Sequence, residues 1–403
     1  MAERSAGEMR KNRGRYILIG AAVCLLAVML AGAAAGETAE ELQPLRLDAE
    51  VKAGALKNLF DGSYFTNWYA KKGWVQIDLK EGEAAYGIYL CFQKEAIPVV
   101  IQIPGETGEY RDWHTLEGKY LHEFAELPGV TSLRIRIADE SKKEMLTLTE
   151  IHLFGPGETP EWVQRWRTAE KADLMLLCGH PDDDLLWFGG ALPVYAGEKG
   201  MHVQVVYLAR GDAWRNNELL DGLWMCGVRD YPIVSPFHDL RSTDRGEVMR
   251  AWGGKNKFYA WFTGILRQTK PEVLITQDVK GEYGHGVHKA ASRAAMECPE
   301  LAADPDYEPE TAEECGVWQV KKVYIHLYEE NQIRMDWEQP LHAFGGKTGV
   351  EMANEALNCH KSQQPIGYEA KTSGIFDCTL FGLYSSTVGP DEEKNDFFEH
   401  IEQ

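Results

Sequence analysis

Two rhythms along the chain predict its fold class: an antiparallel β-sandwich followed by a doubly wound, Rossmann-like and mostly parallel α/β sheet. The first rhythm is a set of short alternating runs across 45–155 with no helical pattern between them. The second begins at 171, where apolar strands alternate with helical stretches. Length agrees with both. At about 150 residues per domain, 403 residues suit two or three units.

The chain opens on a targeting segment, residues 1–35. Arg4, Arg10, Lys11, Arg13 and Arg15 precede an uncharged stretch from Tyr16 to Ala35 that closes on small residues. A basic start, an apolar run and a small-residue end are the parts of a secretion signal. A run of about 20 residues also suffices for an uncleaved signal anchor. Either way, the remainder is expected outside the cytosol, extracellular or membrane-anchored facing outward, because the positive flank stays inside. Seven cysteines follow this segment. Cys298 and Cys315 flank an acidic loop that a disulfide could close. None of the seven has CxxC spacing, so a thiolate zinc site is not expected.

Within 45–155, the runs WVQIDL (74–79), YGIYLCF (86–92), VVIQI (99–103), SLRIRIA (132–138) and LTEIHLF (148–154) each suit a half-buried strand. Pro156, Gly157 and Pro160 stop the last of them, and 156–170 reads as a linker. From 171 to 403 the pattern changes. ADLMLLC (172–178) is continuously apolar, as a parallel strand covered on both faces must be. A helix over 185–200, a strand over 202–209, a helix over 216–228, a strand over 231–237, a helix over 257–270 and strands over 272–278 and 320–328 continue the alternation. The two parts are expected to have separate cores, which would leave the second able to fold alone. The net charge of −20 repels nucleic-acid phosphate, and no basic patch offsets it, so a nucleic-acid partner is not expected. A membrane is expected only at the N-terminal segment.

The chemistry falls where strands end, which is where sites form in open α/β sheets. The first apolar strand runs into Gly179-His180-Pro181-Asp182-Asp183-Asp184. One aspartate would cap the following helix. Three beside a histidine exceed that need, and their mutual repulsion calls for a cation. The first strand lacks a GxGxxG turn, so a dinucleotide is not its ligand. A second cluster, Gly281-Glu282-Tyr283-Gly284-His285-Gly286-Val287-His288, follows the 272–278 strand. Its two histidines, three apart, face the same way at a helix start. Histidine and carboxylate without cysteine suit a catalytic zinc with an open position.

These residues carry a resemblance. HPDDD after a buried strand, RNNELLDG followed by CG, GEYGHGVH and CHKSQ together resemble the PIG-L/LmbE-type zinc deacetylases, which remove acetyl groups from N-acetylglucosamine units. The resemblance covers 171–403 and implies that His180, Asp183 and His288 hold Zn2+. It implies that Asp182 is the general base and that His285 assists the tetrahedral intermediate. Arg215 would contact the sugar, and His360, Ser362 and Gln363 would be structural or stand behind the residues that touch zinc and substrate. Where the family motif usually ends in Glu, this chain has Asp184, one methylene shorter. His202, His326 and His342 lie outside the motifs and read as structural. Separately, LFDGSYFTNW (59–68), WVQIDL, LRIRI and LTEIHLFG (148–155) resemble discoidin-like, galactose-binding-type carbohydrate modules. Trp68, Tyr69 and Trp113 are the candidates for sugar contact, with Trp68 also suited to the core.

The function these readings imply is hydrolytic release of acetate from an N-acetylglucosamine-type glycoside or glycan. The sandwich would engage a cell-surface glycan. Two alternatives are a non-catalytic glycan-binding protein, which the intact His180, Asp182, Asp183 and His288 set opposes, and a metal hydrolase for a different amide.

Overall fold

The structure, a computed structural model, describes residues 36–51, 54–142, 144–209 and 211–402. The basic and apolar start at 1–35 lies outside the described residues. Among those described, no helix is long and apolar enough to cross a membrane.

The N-terminal part is a two-sheet sandwich. Its strands are β1 (Glu41–Leu42), β2 (Arg46–Ala49), β3 (Trp68–Ala70), β4 (Trp74–Asp78), β5 (Ala85–Phe92), β6 (Val99–Pro104), β7 (Tyr110–Leu116), β8 (His122–Val130), β9 (Ser132–Ile137) and β10 (Leu146–Phe154). One sheet runs β1-β10-β5-β8 with β3 also on β10, and the other β2-β4-β9-β6-β7. The alternation sends Val75 and Ile77 of β4, Val99 and Ile101 of β6 and Leu133, Ile135 and Ile137 of β9 into the space between them. All five runs read from the sequence are strands. Five others were not read. Of these, β7 is an edge strand that buries only Leu116, and β8 contains Pro128 and Gly129, so neither shows clean alternation. Trp68 is 1% exposed and belongs to the core. Tyr69 and Trp113 are exposed but sit on different sheets.

The second part is built on β11 (Leu174–Cys178), α1 (Asp183–Leu186), β12 (Val203–Tyr207), α2 (Ala213–Met225), β13 (Ile233–Val234), α3 (Arg245–Ala251), α4 (Lys255–Thr269), β14 (Val273–Thr276), α5 (Gly286–Ala303), α6 (Pro309–Cys315), β15 (Lys322–His326), β16 (Gln332–Arg334), α7 (Gly349–Ala356) and β17 (Leu380–Ser386). The sheet order is β13-β12-β11-β14-β15-β17-β16. The first five strands are parallel, and β17 pairs antiparallel with both β15 and β16. The doubly wound reading is therefore correct. The order reverses between β11 and β14, and that switch point is where both motif loops emerge. The 185–200 stretch is not one helix. It breaks after α1, because Gly189 and Gly190 pack against Trp337, and a Cβ at Gly190 would fall 2.9 Å from that ring. A π turn over Pro193–Glu198 follows.

Alternate residues of the central strands feed two cores. Met175, Leu177, Val206 and Leu274 pack with α3, α4 and α5. Phe258, Phe262 and Leu266 put the apolar stripe of α4 into this layer at four-residue spacing. Arg267, fully buried, donates to the carbonyls of Leu301, Ala302, Asp304, Tyr307 and Glu308 and closes the end of α5. Leu174, Leu176, Cys178, Val203 and Val205 face the other way. There they join one continuous apolar cluster that runs through Trp166 into the sandwich.

The expectation of separate cores is therefore not met, and α2 shows why. Asn217, fully buried on α2, accepts a bond from His122 Nε2 at 2.7 Å and donates to the carbonyl of Gln93 at 3.3 Å. Asp221, one turn on, accepts from Tyr64 Oη at 3.0 Å and from Gln164 Nε2 at 2.7 Å. Tyr231 Oη accepts from the amide of Leu121. Sequence periodicity reports which faces are apolar, not which faces meet, so this joint was not visible in it. The described cysteines are all free: Cys298 is buried in α5, Cys315 ends α6, and no disulfide joins them.

His122 makes the joint acid-sensitive. Burial pushes its pKa down to about 4, and with Nε2 donating to Asn217, Nδ1 is left to accept from Tyr89 Oη. The folded state thus binds fewer protons than the unfolded chain, so this stability is full above pH 6.5 and is lost as pH falls through about 4. At pH 4.5 the loss from this group should be about 2–3 kcal/mol. Unfolding midpoints between pH 7 and 4.5 should fall more steeply for the wild type than for His122→Gln; parallel curves would remove His122 from the account.

Candidate active site

The first motif loop leaves β11 at Gly179. A Cβ there would lie 2.8 Å from His288 Cδ2 and 3.1 Å from Asp183 Oδ2, so only glycine lets the two motifs approach this closely. His180 and Pro181 follow. Asp182 then adopts φ 102° and ψ −27°, a left-handed conformation that costs an aspartate about 1–3 kcal/mol. This bend starts α1 and turns Asp183 back under His180. Its Oδ2 accepts from the His180 amide at 2.6 Å and its Oδ1 from Trp187 Nε1 at 2.7 Å. The second loop leaves β14, and His288 sits in the first turn of α5.

Three atoms converge. His180 Nδ1 lies 3.2 Å from His288 Nε2 and 3.3 Å from Asp183 Oδ2, and His288 Nε2 lies 3.2 Å from Asp183 Oδ2. A triangle with these edges is one face of a tetrahedron whose centre is about 2.0 Å from each corner, the distance at which zinc is held by nitrogen and oxygen. The donor set, two imidazoles and a carboxylate, fits that ion. A wider trio of His180, His285 and His288 keeps ligating atoms within 4.8 Å. We favour the set with Asp183, whose edges match a tetrahedral face.

Each imidazole of the triangle is oriented from behind. Asp239 Oδ1 holds His180 Nε2 at 3.1 Å, and Glu282 Oε2 holds His288 Nδ1 at 2.7 Å, which leaves the opposite ring nitrogen facing inward in both. Glu282 Oε1 also meets His326 Nδ1 at 3.0 Å, and His326 Nε2 donates to the carbonyl of Asp377. Burial alone would raise Glu282, but its two imidazole partners bring it down to about 2. Burial alone would likewise lower His288, yet the carboxylates of Asp183 and Glu282 hold it up at about 10. Asp183, despite its burial, is held well below the usual carboxylate range by the imidazoles of His288 and His180.

Asp182 stands beside this face. Burial, with the charge of Asp183, pushes it up to about 7, and Arg215 opposes the rise. Arg215 Nη2 reaches Asp182 Oδ2 at 3.2 Å and the carbonyl of Pro181 at 2.7 Å. It does not pair with Glu218, whose carboxylate takes the amide and hydroxyl of Ser362. Asp184 is buried and pushed up to about 7 by that burial; its Oδ1 accepts from the Asp182 amide. The shorter side chain thus supports the strained turn. His285 caps α5, and its Nδ1 accepts from the Val287 amide. That bond assigns the ring proton to Nε2. Burial and the neighbouring His180 push His285 down to about 4, so it is a neutral donor near pH 7.

A cleft of about 400 Å³ opens over these groups, lined by His180, Asp182, Arg215, Tyr283 and His285 among others. Sequence reading gave no role to Asp239, Tyr283 or Glu282 and read His326 as generic. Asp239 follows the short parallel strand β13, and that strand-end position was the signal available for it. Tyr283 Oη comes within 3.4 Å of His288 Nε2. Gln363, read as structural, lines the cleft. His360 is buried.

A mostly parallel sheet carrying a His-Asp-His face at its switch point defines a doubly wound α/β domain with a candidate metal centre. Residues 175–298 match the family profile described as PIG-L: GlcNAc-PI de-N-acetylase. A 1D-myo-inositol 2-acetamido-2-deoxy-alpha-D-glucopyranoside deacetylase of Catenulispora acidiphila is 30% identical over 179 residues, 38% of this chain and 54% of that protein. Its counterpart in Geodermatophilus obscurus is 28% identical, over 38% of this chain and 60% of that protein. The chain thus spans about half the length of the curated relatives it matches. The N,N'-diacetylchitobiose deacetylase of Pyrococcus horikoshii, solved with an inhibitor, is 17% identical with a TM-score of 0.39, over 48% of this chain and 72% of that one; this likeness is too partial to bear weight.

Glu282 joins two buried imidazoles, so its loss leaves both without their anion. Glu282→Ala should cost about 3–5 kcal/mol of unfolding free energy, measured by urea titration with chelator present so that metal plays no part. A cost under about 1 kcal/mol would show that the bridge carries no load.

Proposed function

We propose that the protein is a metal-dependent N-deacetylase that releases acetate from an N-acetylglucosamine-type glycoside or glycan. The observation that carries this reading is the 3.2–3.3 Å triangle of His180 Nδ1, Asp183 Oδ2 and His288 Nε2 beside Asp182. The PIG-L profile match and the names of the relatives support the reaction class. The basic and apolar residues 1–35 support a reaction outside the cytosol.

His180, Asp183 and His288 would hold Zn2+, which supplies Lewis acidity at this face when bound. Asp182 takes the proton of the attacking water; its position at about 7 lets it both accept and release one near neutral pH. Arg215 fixes the Asp182 carboxylate through Nη2 and keeps its remaining donors for the sugar. His285, neutral with Nε2 carrying the proton, donates to the oxygen of the acetamide carbonyl as charge builds there, a contact worth about 3 kcal/mol. A group with a pKa of about 4 is a poor source of protons at pH 7. Asp182 therefore returns its proton to the departing amine. The products are acetate and an amino sugar.

Acetate release from N-acetylated glycosides, measured with and without chelator, tests the reading as a whole. No release from a broad panel, with the metal confirmed in place, would overturn it. Asp182→Asn should keep its metal and lose about 100-fold or more in kcat, whereas His288→Ala and Asp183→Ala should lose metal in elemental analysis. Near-normal turnover in Asp182→Asn would move the base elsewhere. Arg215→Ala should lower kcat/KM by about tenfold or more with little change in Tm; unaltered kinetics would end its substrate role.

A further inference from the structure

A second cleft of about 630 Å³ adjoins the first, sharing His180, Arg215, Asp239, Arg241 and Gln363 with it. The α/β domain does not build this cleft alone. Lys94, on the turn between β5 and β6 of the sandwich, lines it. The placement is not incidental, because the residue before it, Gln93, gives its carbonyl to Asn217 of α2, the helix that carries Arg215. The turn is thereby pinned beside the substrate helix.

The charges in this cleft are unusual for the chain. With 62 acidic against 42 basic residues, cations here have carboxylates in plenty. Arg215 is engaged by Asp182. Lys94 and Arg241 are both exposed, and neither has an ion-pair partner among the described residues. Of the two acidic groups lining the cleft, Asp239 holds His180, while Asp212 is exposed at the N-cap of α2 with no side-chain cap bond, and the helix dipole offsets part of its charge. Two buried polar atoms of the lining residues, Arg215 Nε and Asn216 Oδ1, have no hydrogen-bond partner among the described residues. Such atoms are costly unless something polar satisfies them.

We propose that Lys94 of the sandwich and Arg241 of the α/β domain form a shared subsite for a negatively charged group, a carboxylate or a phosphate ester, on the unit joined to the N-acetyl sugar. The substrate class is then an anionic N-acetyl glycoside, and the sandwich acts as a wall of the active site. The inference rests on the deacetylase reading for the reaction, but its binding part stands apart from it. Two cations in one cleft favour an anion over its neutral isostere, and salt weakens that preference because both side chains are exposed.

The test uses the full chain with its metal and three disaccharides: N-acetylglucosamine joined to glucose, to glucuronic acid and to glucose 6-phosphate. Acetate release gives kcat/KM, and calorimetry gives Kd. The expected result is that one or both charged forms exceed the neutral one by about tenfold in kcat/KM at low salt, with the ratio collapsing in high salt. The better of the two identifies the anion. Lys94→Glu and Arg241→Glu should each bring the charged-to-neutral ratio to one or below. Lys80→Glu, on a turn that lines neither cleft, should leave it as in the wild type and so controls for net charge. No preference in the wild type, or a preference that survives Lys94→Glu, overturns the proposal. Absence of acetate from all three would strike the deacetylase reading instead, and the calorimetric ratios would still decide the subsite.

Discussion

Five carboxylates and four imidazoles are gathered into a largely dehydrated space at one switch point, and the rest of the molecule is organised around keeping them there. Burial opposes charge on every one of these groups. The fold answers by pairing them along a line: Asp239 behind His180, Glu282 behind His288, His326 behind Glu282. The two ligand-bearing loops come from neighbouring parallel strands, β11 and β14, so their separation is set by the sheet spacing. Gly179 removes the one side chain that would keep them apart. The left-handed turn at Asp182 follows from the same requirement, since it brings Asp183 inward while leaving Asp182 at the cleft.

The sandwich enters this arrangement through α2. A helix carrying Arg215 on the cleft side and Asn217 and Asp221 on the sandwich side is held from both directions. Asn217 is buried, and both polar anchors are satisfied, which makes the joint directional in a way that apolar contact alone is not. The apolar cluster that runs through Trp166 into the α/β domain adds area to the same joint. Arg215 is thus positioned by a chain of contacts that begins in the β-sandwich and ends on the Asp182 carboxylate.

Much of this was legible in the residues. The alternation of β4, β5, β6, β9 and β10 and the apolar run of β11 gave both fold types, because each of those strands buries at least one full face. The edge strand β7 and the proline-containing β8 were not legible, since solvent on one side or a broken ladder erases the pattern. At the site, dense motifs were readable: HPDDD and GHGVH put the convergent groups within a few residues of each other. Asp239 was not singled out, because it stands alone after the 231–237 run rather than in a dense motif. Lys94 lay beyond reach altogether, since it comes to the cleft from another domain through a turn with no local signature. The Arg215 contact was half read. The family resemblance pointed it at the sugar, but the pairing with Asp182 rather than Glu218 depends on the backbone bend at Asp182.

The buried anchoring of α2 also bears on how such a chain can change over generations. An appended module that hangs from a linker can be exchanged, duplicated or dropped with little consequence. One whose His122 and Tyr64 complete the bonds of Asn217 and Asp221 cannot, because its removal uncovers the apolar surface the two parts share and takes away the partners that fix α2. Recombination that brought this sandwich to an unmatched α/β partner would join two pieces that do not fit. Descent should therefore carry the sandwich and α2 together as one inherited unit, with substitutions on one side answered on the other.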